Sequence, residues 1–224
     1  KHMFYLLIGS IIGVVMGLTG SGGALVSLPL FMFFLGKDLK EASFLALVSV
    51  VLSSVINFIF QRKNTETKLA LLMFAFSMLG TTLILPYKKL FSSFWIALII
   101  ALIALYSLLV TWFQAARKKE ESRQESSSPM IIIFFTVITL GVLTSLTGLG
   151  GGVILMPICL NVFKLDEKKS LATSLLTISL SSFFSFGMQL KKNEYIIEWF
   201  NVLSMALGVL FAVLLLRKIV SYMN

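Results

Sequence analysis

The sequence predicts an all-α integral membrane protein made of two homologous halves. Three observations predict it: apolar runs of membrane-spanning length, one long hydrophilic segment near the middle of the chain, and a gapless internal repeat on either side of that segment. Of the 224 residues, 58% are apolar and 13% charged, and the mean hydropathy is +0.96; soluble domains run at about 45–50% apolar. A hydrocarbon core about 30 Å thick takes about 20 mostly apolar residues per helix, and the chain offers such stretches repeatedly. The net charge of +9 forms no single basic face, because Lys and Arg sit in the short connectors between apolar runs. Anionic lipid headgroups, rather than nucleic acid, are the partners such a distribution fits.

In chain order the apolar runs cover 4–35, 42–60, 69–86, 91–113, 130–163, 170–189 and 195–216. The first run lacks a small-x-small cleavage pattern, so it reads as a retained segment rather than a signal peptide. It and the fifth run are too long for one crossing and too short for two. Glycines interrupt both, at Thr19-Gly20-Ser21-Gly22-Gly23 and at Thr147-Gly148-Leu149-Gly150-Gly151-Gly152. Residues 114–129, QAARKKEESRQESSSP, have the composition of a flexible linker. The division is therefore a first transmembrane repeat at 1–113, a hydrophilic linker at 114–129 and a second repeat at 130–224.

A shift of 128 residues lays Gly13 through Lys63 over Gly141 through Lys191 without a gap. Gly13, Leu18, Thr19, Gly20, Gly22, Gly23, Pro29, Asp38, Ser53, Ser54, Phe58 and Gln61 recur identically, which is the mark of a duplication. By the same alignment the second half stops before a counterpart of the 91–113 helix. If each interrupted run crosses once, Lys and Arg divide evenly between the two membrane faces. If each is a re-entrant hairpin, the face that carries the linker holds twice as many as the other. The positive-inside rule then predicts inverted halves, a cytoplasmic linker and an outer N-terminus, in a multi-pass protein of the cell (inner or plasma) membrane.

The two interruptions are the candidate site. Irregular backbone at membrane depth survives only where protein or a water-filled cavity surrounds it. A half-helix restarting after a break has four N–H groups without intrahelical partners and a partial positive charge, and glycine lets a ligand approach that backbone closely. Paired breaks in corresponding positions of two halves thus predict an anion site made by Thr19, Gly20, Ser21, Gly22 and Gly23 with Thr147, Gly148, Gly150, Gly151 and Gly152. Pro29 and Pro157 lie at equivalent places beyond the breaks, where each would kink or end its half-helix. In the next helix of each half Ser49, Ser53 and Asn57, and Thr173, Thr177, Ser181 and Ser185, recur every fourth residue. Such a stripe glues helices together, lines a pathway, or does both.

Other chemistries have little raw material. The one histidine, His2, sits in Lys1-His2-Met3, which reads as the end of an expression tag. Cys159, the one cysteine, lies inside an apolar run and reads as a small buried hydrophobe. Glu198 is the one charged residue within an apolar run and reads as an interfacial anchor. Neither a catalytic triad, nor paired carboxylates, nor a phosphate loop of the GxxxxGK type is present, and the scarcity of carboxylates argues against a cation or metal pathway. No enzyme, cofactor or metal is expected.

The motifs Gly17-Leu18-Thr19-Gly20-Ser21-Gly22-Gly23 with Pro29, and Leu146-Thr147-Gly148-Leu149-Gly150-Gly151-Gly152 with Pro157, resemble the TauE/SafE family of sulfite and organosulfur exporters. The second copy is the closer match; the first departs from it at Ser21 and Ala24. The resemblance spans nearly the whole chain. It implies a secondary transporter that exports small sulfur-containing anions such as sulfite or sulfonates, with proton coupling a possibility carried by the substrate itself. A passive anion channel, a carrier of a non-sulfur organic anion and a non-transporting scaffold are the alternatives that the residues leave open.

Overall fold

The computed structural model describes residues 2–19, 23–90, 92, 94–95, 98, 101–102, 105, 137–139, 141–142, 144–145, 152–191 and 199–223. Among them the fold is all-helical: α1 His2–Thr19, α2 Gly23–Leu35, α3 Leu39–Gln61, α4 Thr67–Ile84, α5 Gly152–Asn161, α6 Glu167–Leu190 and α7 Trp199–Met223. Short 3-10 turns cover Arg62–Asn64 and Leu85–Leu90, and the described residues of 137–145 are helical. Among the described residues four stretches are long and apolar enough to cross a membrane: Leu39–Asn64, Thr67–Tyr87, Glu167–Leu190 and Trp199–Leu216. The expected run at 4–35 resolves into α1 and α2, and α7 continues past residue 216 to Met223. The linker at 114–129 and Glu198 lie outside the described residues, as does most of 91–113.

The duplication is carried by the backbone as well as by the residues. After α2 the chain turns through Gly36 at φ +61°, and at the equivalent place after α5 Lys164 takes φ +51°. Each turn is closed by the same bond, Lys37 N–H to the Phe31 carbonyl at 3.4 Å and Leu165 N–H to the Cys159 carbonyl at 3.1 Å. The next helix begins after an aspartate in both halves. Asp38 is extended and its carboxylate accepts the Glu41 N–H at 3.2 Å, satisfying one N–H that the first turn leaves over. The first intrahelical bonds, Ala42 N–H to Asp38 and Ser170 N–H to Asp166, are both 2.8 Å. Glycine reaches positive φ without strain but lysine does not.

Hydrophobic burial gives little drive for one helix to leave lipid for another, so close backbone approach and hydrogen bonds must hold the halves together. Small residues supply the approach. A Cβ built on Gly9 would collide with the Met205 carbonyl, and one on Gly208 with the Leu6 carbonyl, so α1 and α7 touch backbone to backbone. The counterpart crossing joins α4 to the segment 137–145: a Cβ on Gly80 would strike the Ile138 carbonyl, and one on Gly141 the Ser77 carbonyl. Gly80 and Gly208 are one repeat apart, as are Gly13 and Gly141. Each half therefore lays its first helix on the fourth helix of the other, and the halves interlock.

The equivalent helices α3 and α6 stand at the centre, with 56% and 61% of their spanning windows buried, against 33% for both α4 and α7. Large apolar side chains such as Phe33, Leu83, Phe183, Trp199 and Phe211 are exposed and suit a lipid surround.

Gly80→Leu and Gly208→Leu should each cost about 1–3 kcal/mol by overpacking a crossing. Gly187→Ala, where a Cβ meets nothing within 4 Å, should instead stabilise by up to about 1 kcal/mol, since alanine is the better helix former; thermal unfolding in detergent distinguishes the three. The same assay should show Lys164→Gly stabilised by about 1 kcal/mol as the left-handed strain is removed.

Candidate functional site

The first interruption separates α1, ending at Thr19, from α2, starting at Gly23, and the second ends where α5 starts at Gly152. Gly20, Ser21, Gly22, Thr147, Gly148, Gly150 and Gly151 lie outside the described residues. What is described is the set of helices that aim at them. α2 has 13 residues and α5 has 10, so both are half-helices that start with unpaired N–H groups. Each returns through a tight turn alongside the long helix that follows it, packed on it. Thirteen residues at about 1.5 Å each bring the start of α2 level with the Ser53 region of α3, about 20 Å from the turn. By the repeat, the start of α5 comes level with the Ser179 region of α6. Pro29 and Pro157 lie inside α2 and α5, and both helices continue past the proline, to Leu35 and Asn161.

All the stripe side chains are buried. On α3 they satisfy themselves against their own helix. Ser49 Oγ donates to the Ala46 carbonyl at 2.7 Å, Ser53 Oγ to Ser49 at 2.7 Å, and Asn57 Nδ2 to Ser53 at 2.9 Å. On α6 the stripe meets α4 of the other half. Thr173 Oγ1 accepts the Glu66 N–H at 3.1 Å, Thr177 Oγ1 stands 3.4 Å from the Ala70 carbonyl, and Ser185 Oγ stands 3.4 Å from Thr81 Oγ1. Thr81 in turn donates to the Gly141 carbonyl at 3.1 Å, tying three helices at one point. Ser181 turns back to the Ile178 carbonyl at 3.3 Å. Thr173 and Thr177 thus join α6 to α4.

Sequence reasoning passed over Thr81, Ser145 and Ser182. The hydroxyls of Ser145 and Ser182 are buried and have no hydrogen-bond partner. The sequence signal at Ser182 is the recurrence of Ser53-Ser54 as Ser181-Ser182, which is a repeat identity. Charge is kept to the helix ends: Lys37 pairs with Glu41 at 3.0 Å and Lys169 with Glu66 at 3.3 Å, all half-exposed or nearly so. Among the described residues no group of three or more His, Cys, Asp or Glu could hold a metal ion. Cys159 is fully buried in α5, within the apolar core.

Comparison with known proteins agrees with the glycine motifs. The family model described as Sulfite exporter TauE/SafE matches residues 5–224. The chain belongs to that family, whose members are membrane transporters rather than enzymes; its apolar helices fit a multi-pass protein. No curated protein and no solved structure matches significantly.

Thr173→Val leaves the Glu66 N–H without its acceptor and should cost about 1 kcal/mol. Thr177→Val removes a longer contact and should cost about 0.6 kcal/mol, the usual worth of an interhelical bond in a membrane. Thermal unfolding of the two single variants checks both the size and the order of these effects.

Proposed function

We propose that this TauE/SafE protein is a secondary transporter that exports a small sulfur-containing anion, such as sulfite or a sulfonate, bound between the facing N-termini of α2 and α5 near the membrane midplane. The observation that carries the reading is the duplicated pair of half-helix starts at Gly23 and Gly152 in a chain of this family. Two such starts add their unpaired N–H groups and dipoles on one anion. Gly20, Gly22, Gly23, Gly148, Gly150, Gly151 and Gly152 present backbone N–H groups, and Thr19, Ser21 and Thr147 add hydroxyl donors. Ser49, Ser53, Asn57 and Ser181 line the route on either side, while Thr173 and Thr177 brace it from α4.

Alternating access follows from inverted halves, and several contacts support inversion. α1 and α7 run in the same direction, since Gly9 meets Met205 and Gly13 meets Val209. So do α4 and α6, from the succession Glu66 with Thr173, Ala70 with Thr177 and Thr81 with Ser185. Phe44, early in α3, stacks on Phe186, late in α6, with centroids 5.9 Å apart. The equivalent helices α3 and α6 are then antiparallel, as two oppositely inserted repeats require. With each interrupted run as a re-entrant hairpin, the Glu66–Lys169 pair gathers Arg62, Lys63, Lys68, Lys164, Lys168 and Lys169 on the face of the linker at 114–129. By the positive-inside rule that face is cytoplasmic. Sulfite and bisulfite interconvert near neutral pH, so a coupled proton can ride on the substrate without a carboxylate relay.

Radiolabelled sulfite uptake into proteoliposomes, with and without a pH gradient, tests the reading. Saturable flux that unlabelled sulfite and sulfonates compete away is expected, and conductance without saturation or counterflow would make the protein a channel instead. Gly150→Val should abolish sulfite binding in a variant that stays monodisperse; unchanged affinity there would exclude the glycine site.

A further inference from the structure

The connectors that follow the two central helices are repeat equivalents, yet they meet the lipid with different residues. In the first half the chain leaves α3 through Arg62 and Lys63 and enters α4 at Thr67-Lys68. In the second half Leu190 stands where Arg62 does and Ile196 where Lys68 does. The surface beside the first connector is apolar and open: Ile59 lies one turn before Arg62 and Lys63, Leu71 and Leu72 lie one turn after Lys68, and all three are exposed. The counterparts of that leucine pair are Trp199 and Phe200, which are exposed as well.

The cations of the first connector are not spent within the protein. The turn that carries Arg62 and Lys63 packs on α6. Glu66 pins the connector there, its N–H donating to Thr173 Oγ1 at 3.1 Å and its carboxylate pairing with Lys169 at 3.3 Å. The start of α6 thereby brings Lys164 and Lys168 to the same end of the bundle. Arg62, Lys63, Lys68, Lys164 and Lys168 are exposed, and among the described residues none of the five enters an ion pair. With Lys169 matched by Glu66, Asp166 and Glu167 offset only part of that charge.

A soluble anion would need the cations alone. Long basic side chains on a lipid-facing helix lay their stems along hydrocarbon and hold the charge at headgroup level, so a phosphate held by Arg62 or Lys68 has its acyl chains against Ile59 or against Leu71 and Leu72. We propose that the α3–α4 connector, together with the start of α6, is a binding surface for anionic phospholipid, and that its counterpart in the second half anchors through Trp199 and Phe200 without selecting lipid by charge. Aromatic anchors sit at the interface whatever the headgroup, whereas a Lys or Arg adds attraction where the lipid is anionic. This surface is independent of the anion site and of the direction of insertion.

Native mass spectrometry of the purified full chain in neutral detergent, titrated with phosphatidylglycerol or with phosphatidylcholine of the same acyl chains, is the test. The parent should retain phosphatidylglycerol in preference. Arg62→Gln and Lys68→Gln should each raise the half-saturating phosphatidylglycerol concentration about fivefold, the worth of one cation near an anionic surface. Lys40→Gln, which removes an exposed cation at the start of α3, should match the parent, and Lys68→Arg should keep its affinity. All these positions are exposed, so the unfolding temperature without added lipid should not move. Inorganic phosphate should fail to displace the lipid; displacement would overturn the lipid assignment and give the surface to a free anion. Equal retention of the two lipids by the parent, or parent-like binding in both Arg62→Gln and Lys68→Gln, would also overturn it.

Discussion

A backbone N–H or C=O in hydrocarbon has no water to turn to, and much of this molecule follows from that. Continuous helices meet the requirement by themselves, which is why α3, α4, α6 and α7 need only apolar side chains to stand in lipid. The gap between Thr19 and Gly23, and the one ending at Gly152, do not meet it. Both must be walled by protein or occupied by something polar. The fold supplies the wall by returning α2 along α3 and α5 along α6, and by placing α3 and α6, the most buried spans, at the centre.

That enclosure has to be held without the hydrophobic effect that would hold a soluble bundle. The structure relies on shape instead. Gly9, Gly13 and Gly208 let α1 and α7 meet at backbone distance, and Gly80 and Gly141 do the same for α4 and its partner segment. Thr81, Thr173 and Thr177 add hydrogen bonds where the halves touch. These contacts run between halves rather than within them. A movement of one half against the other would slide along glycine crossings, which present few side-chain obstacles.

The stripes show how one sequence pattern divides its duties. Ser49, Ser53 and Asn57 spend their donors on the preceding turn of α3. Thr173 and Thr177 face a backbone carbonyl or N–H of α4. The difference lies in the neighbour and not in the spacing, which is the same in both halves. Ser54, whose Oγ donates to the Val51 carbonyl, and Ser182, whose Oγ has no partner, differ in the same way, since identical residues at equivalent positions have different surroundings.

The sequence by itself determined the membrane class, the interrupted first run, the stripes and the duplication. Hydropathy, glycine runs and repeat identity are local properties of the chain, and they set where a helix can run and where it must stop. Asp38 and Asp166 recur only as part of the repeat, and nothing in the sequence marked the turn before each long helix or the left-handed Lys164. Only the tertiary structure decided that each half packs its first helix on the fourth helix of the other, that the α6 stripe meets α4, and that Ser145 and Ser182 are left without partners. Those outcomes depend on which surfaces fit each other across more than a hundred residues of chain, and neither periodicity nor composition encodes a choice of partner.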